Sequence, residues 1–193
     1  MTGSPTCQLI SMMRTEILLN VDGMDQMERQ LEIYTILIMG IGGTMLDKLQ
    51  EHILDGEFDL GRSLYKKENC EMLEHDILVI AYNTDNIATY FFILYMIFHR
   101  EEAELHFIAC SLLINPFVYI QGAYYLAYDH ILKASILDPH NLKYKENLLF
   151  FYHIPEKILG INEAINIANQ ILKVCPTSSA AKSIINEKKN DIN

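Results

Sequence analysis

The period at which apolar residues recur constrains this chain more than any motif does. In INEAINIANQILKV, the residues Ile161, Ala164, Ile165, Ala168, Ile171 and Leu172 fall on one helical face. That is the i, i+3, i+4, i+7 spacing of a half-buried helix. TMLDKLQEHIL repeats it with Met45, Leu46, Leu49 and Ile53, and EMLEHDILVIA with Leu73, Ile77, Ile80 and Ala81. No segment alternates convincingly with the two-residue period of a strand. An all-α fold is expected.

Turn-forming residues punctuate the pattern at Asp22-Gly23, Gly40–Gly43, Gly56–Gly61, Asn83–Asn86, Asn115-Pro116, Asp138–Asn141, Pro155–Gly160 and Cys175-Pro176. These breaks leave about ten helices of ordinary length joined by short connections. Thr44 and Asp47 stand where an N-cap and its third-residue acid would be. GEFDLG, residues 56–61, reads as a hinge, and the polar end 189–193 as a frayed tail. The remainder, 1–188, is expected to form a single helical domain, with an N-terminal part over 1–82 and a repeat-like part over 86–188.

Half of the residues are apolar, enough for a continuous core. The longest apolar runs, Ile33–Leu46 and Ile87–Phe98, fall short of the roughly 20 residues that a membrane span requires. They read as buried helices. The first twenty residues lack the basic start, clean apolar segment and small-residue cleavage site of a signal peptide. Cys7, Cys70, Cys110 and Cys175 lie far apart with no Cys-x-x-Cys pair. They are expected to be buried thiols in a reducing cytoplasm, without zinc.

Charge is distributed unevenly. Residues 1–132 carry 7 bases against 19 acids, and residues 133–193 carry 8 against 6. Acid is densest from Asp47 to Asp76, where nine carboxylates meet four bases. Such a surface repels nucleic acid, whose binding draws on Lys and Arg. It attracts a basic protein and speeds the encounter, although it also serves solubility. The expected partner contacts are Asp47, Glu51, Asp55, Glu57, Asp59, Glu71 and Glu74, joined by Tyr124 and Tyr128 from the tyrosine-rich YIQGAYYLAY. Aromatic anchors are typical of interface hot spots.

Two helices end on proline with matching small residues. Ala127, Ile131, Ala134 and Pro139 stand at the same relative offsets as Ala164, Ala168, Ile171 and Pro176. This pattern resembles the second helix of a tetratricopeptide-type repeat. The resemblance implies stacked antiparallel helical hairpins in a right-handed superhelix whose concave face holds a peptide or protein. It is a degenerate match: the two prolines are 37 residues apart, where the family uses about 34.

Candidate chemistry is sparse. Gly40-Ile41-Gly42-Gly43 lacks the last glycine of a dinucleotide fingerprint, since Met45 occupies that place. Lys48 lies too deep for a phosphate loop, and neither motif has its preceding strand. A glycine corner between helices fits better. In HREEAELH, the residues His99, Glu102 and His106 would share a helical face at i, i+3 and i+7. A metal there would need matching ligands from other helices. His130, His140 and His153 lie near Asp129 and Asp138, but Ser111 and Ser135 occupy no nucleophile elbow.

The expected function is therefore non-enzymatic protein binding without a cofactor. Its most concrete form is a cytoplasmic immunity protein whose acidic face blocks a basic, nuclease-like toxin domain. A peptide-binding adaptor and a metal-dependent helical enzyme using His99, Glu102 and His106 are the alternatives.

Overall fold

The segment AELHFIACSLLI has almost no polar face, so a helix made from it must be enclosed. In the computed structural model, which describes residues 43–65 and 70–190, it becomes the central helix. Nine helices follow one another there: α1 (Gly43–Leu54), α2 (Phe58–Ser63), α3 (Cys70–Thr84), α4 (Ala88–His99), α5 (Ala103–Ile114), α6 (Ala123–Leu137), α7 (Leu142–His153), α8 (Ile161–Val174) and α9 (Ser179–Asn190). Among the described residues there is no strand. The fold is all-α, as the periodicity requires.

Every residue from Leu105 to Leu113 in α5 is buried. That helix packs against α3, α4 and α6, and its Phe107 ring lies 5.7 Å from Tyr144 of α7. Contact register gives the directions. His106 meets His130 while Glu101, just before α5, meets Lys133, so α5 and α6 run antiparallel. Glu146 pairs with Ser178 and His153 with Glu187, so α9 follows the sense of α7. Helix α8 contacts both. Helices α5 and α6 thus form a hairpin, and α7 and α9 are aligned.

The inward faces of α6 and α8 combine alanine with isoleucine. Ala127, Ile131 and Ala134 of α6 are completely buried, as are Ala164, Ala168 and Ile171 of α8. Gly122 starts α6 with φ +86°, a conformation that a side chain disfavours. The Asn141 side chain accepts the Lys143 amide at 3.1 Å and caps α7.

Helix ends fall at the expected punctuation near residues 55, 84, 115, 138, 154 and 175. Three details differ. The hinge over 56–61 is a turn at Gly56 followed by α2, because Phe58 packs its ring 5.6 Å from those of Phe92 and Tyr95. Gly61 lies so close to Phe92 that a Cβ would stand 3.0 Å from the ring. Helix α9 continues to Asn190, past the start of the expected tail. Thr44 lies within α1, whose first residue is Gly43. Asp22-Gly23 and Gly40–Gly42 lie outside the described residues.

One buried apolar cluster runs from Leu49 to Ile184. It joins α3 to α4 and α5 across residues 82–86, so no core boundary falls there. Among the described residues, no helix is long and apolar enough to cross a membrane.

Candidate interaction surfaces

Leu49 and Ile53 bury one side of α1, which leaves the opposite side to solvent. Asp47, Glu51 and Asp55 recur there every four residues, and all three are exposed. They form no ion pair among the described residues. Glu71 is also exposed. The other expected acids are engaged. Glu57 meets His52 at 2.9 Å. Asp59 accepts from Tyr95 at 2.5 Å and Arg62 at 3.2 Å, which hold its carboxyl below the usual range. Half-buried Glu74 meets Lys143 at 3.5 Å, and that ammonium also sits 3.8 Å from the centre of the Phe107 ring. Within the predicted set, the unpaired stripe is therefore narrower than the sequence suggested.

Tyr124 and Tyr128 are half-buried, turned toward α7 with rings 6.2 Å from Phe150 and 5.4 Å from Phe151. Tyr125 and Tyr119 are exposed instead, and Tyr119 donates to Asp85 at 2.7 Å. Residues 124 and 128 share a helical face that α7 covers, and Tyr125 points elsewhere.

The candidate metal face does not form. His99 ends α4, Arg100 is extended at φ −154°, and Glu102 precedes α5 at φ −135°. The break disrupts the single helix that the spacing assumed. His99 donates through Nδ1 to the Tyr95 carbonyl at 2.9 Å, and Glu102 takes Arg100 at 3.0 Å. Among the described residues, no group of three His, Cys, Asp or Glu side chains is placed to hold a metal. His140 is exposed between α6 and α7, while His153 faces Glu187 at 3.8 Å. Ser135 donates to the Leu132 carbonyl at 2.8 Å. Free Cys110 is buried and its thiol is pushed up to about 12 by desolvation; Cys175 is partly exposed.

Sequence spacing gave no hint of what the α5–α6 hairpin does bring together. His106 and His130 approach Nδ1 to Nδ1 at 2.9 Å. His130 Nε2 meets the Tyr90 hydroxyl at 2.9 Å, and His106 Nε2 meets Glu101 at 3.4 Å. Lys133 reaches the same Glu101 oxygen at 3.2 Å. The carboxylate end fixes every proton. An ionised Glu101 only accepts, so His106 carries its hydrogen on Nε2 and offers a bare Nδ1. His130 must then donate from Nδ1, its Nε2 must accept, and Tyr90 must donate. Both imidazoles are neutral in this chain. Burial depresses both pKa values, with that of His130 down to about 4. Lys133 and His106 hold Glu101 below the usual carboxylate range.

Compared with protein-family models, curated proteins and solved structures, the chain matches none. Its class rests on its own geometry: the described residues are all-helical, with an acidic stripe on α1.

Proposed function

We propose that this chain is a non-enzymatic helical-repeat protein that binds a basic protein through the acidic side of α1. The observation that carries this reading is the stripe of Asp47, Glu51 and Asp55, exposed and without ion-pair partners among the described residues. Three like charges one helical turn apart repel one another. Their arrangement gives a basic surface something to neutralise.

The repeat reading has support in spacing. Phe107 and Tyr144, which touch from α5 and α7, are 37 residues apart. Pro139 and Pro176 have that same offset. The right-handed superhelix of the tetratricopeptide type remains part of this proposal.

Its concrete form is a cytoplasmic immunity protein that blocks a basic, nuclease-like toxin domain. A toxin encoded beside this chain's gene is the partner to test. Co-expression should restore growth, and failure to neutralise such a toxin would remove the immunity reading. Association should slow as salt rises from about 50 to about 500 mM, because screening shortens the reach of exposed charges to about 8–10 Å or less. Replacing Asp47, Glu51 and Asp55 with Lys should slow association at low salt while melting stays near that of the parent. A flat salt dependence would reduce the stripe to a solubility device.

A peptide-binding adaptor is the second reading. A groove of about 400 Å3 between α7 and α9, lined by Glu146, Leu149, Phe150, His153 and Ser183, favours it.

A further inference from the structure

A cleft between α2 and the α4–α5 turn holds about 320 Å3, near the low end of small-molecule sites at about 300–1,000 Å3. Arg62 and Arg100 both line it, in a chain with ten more acids than bases. A guanidinium has five N–H donors in a planar fork. Arg62 Nη2 donates to Asp59 at 3.2 Å and Arg100 Nη2 to Glu102 at 3.0 Å. Those bonds orient the two forks and leave further donors on each. Tyr95 donates to the same Asp59 oxygen as Arg62, which anchors that carboxylate. His99, also at the rim, has its ring fixed by the bond to the Tyr95 carbonyl. Buried Met96 and Leu105 add an apolar surface to the lining.

We propose that this cleft binds a small molecule carrying an oxyanion group, a carboxylate or a phosphate, with Arg62 and Arg100 as its two forks. Guanidinium forks match both groups by paired N–H donation. Met96 and Leu105 receive the attached carbon skeleton. Asp59 lines the cleft too, and each arginine is already paired with a carboxylate. Binding therefore uses the N–H donors that those pairs leave over, and it does not rest on the acidic stripe of α1.

The full chain should be titrated separately with inorganic phosphate, phenyl phosphate and succinate, with ionic strength held constant by chloride. NMR of the arginine side-chain Nε–H groups is the readout. At least one probe should produce saturable shifts at Arg62 and Arg100. Response to the phosphates alone identifies a phosphate group, and response to succinate alone a carboxylate. Arg62→Gln and Arg100→Gln should each weaken the responding probe by roughly tenfold, the scale of one charge-assisted bond. Arg62→Lys and Arg100→Lys, which keep the charge but lose the fork, should fall between. Arg100→Gln and the Lys variants keep the test decisive if Arg62→Gln fails to fold. Linear shifts with every probe, or unchanged affinity in the folded variants, would overturn the proposal.

Discussion

Acid should weaken this protein through His130 before most carboxylates titrate. The unfolded imidazole takes a proton near its ordinary pKa of about 6.5. In the folded chain burial lowers that value to about 4, and neighbouring His106 adds to the depression. A base with a depressed folded pKa leaves the unfolded state holding more protons between the two values. Stability therefore rises with pH in that window. The contribution is fully present above about pH 6.5 and disappears as pH falls toward 4.

The size follows from linkage. Between neutral pH and pH 4.5, that shift removes on the order of 2 kcal/mol. This is a sizeable part of a usual total of about 5–15 kcal/mol. Burial supplies the mechanism. A proton added to His130 enters at Nε2, where the Tyr90 hydroxyl at 2.9 Å must turn from donor to acceptor, and it places a charge where water is largely excluded. Tyr90, Glu101 and Lys133 are the other polar or charged groups that complete the array. Urea unfolding of the parent and His130→Gln from pH 7.5 to 4.5 would separate this effect from general acid destabilisation. The parent should lose on the order of 2 kcal/mol more than the variant over that range. Parallel stability curves, or an NMR titration placing folded His130 near pH 6.5, would refute the reasoning.

Two substitutions test the packing. Ala134→Leu and Ala168→Leu add bulk at completely buried positions and should each cost about 1–3 kcal/mol by overpacking; parent-like melting of both would break the repeat alignment. Gly122→Ala forces a side chain into the left-handed conformation at φ +86° and should cost about 1 kcal/mol in urea unfolding, although its Cβ would meet no atom within 4 Å.

What the sequence revealed and what it hid divide along a physical line. Helical period reports one helix at a time, so it identified Ala164, Ala168 and Ile171 as an inward face, and all three are buried. Glycine, proline and asparagine located most helix ends because they act on local backbone. The break at Arg100 escaped notice because HREE contains none of them, and HREEAELH reads as one continuous helix. Pairing across helices is harder still, because it depends on hairpin register. A slip of one residue turns a helical side chain by about 100°. His106 and His130 are 24 residues apart and meet only because α5 and α6 align as they do. Packing between other helices likewise covers Tyr124 and Tyr128 with α7, binds Glu74 to Lys143 and ties Asp59 to Tyr95. Composition counted all of these as available surface. The three acids of α1 escaped that reassignment because their spacing and the burial of Leu49 and Ile53 belong to a single helix, where sequence reasoning is strongest.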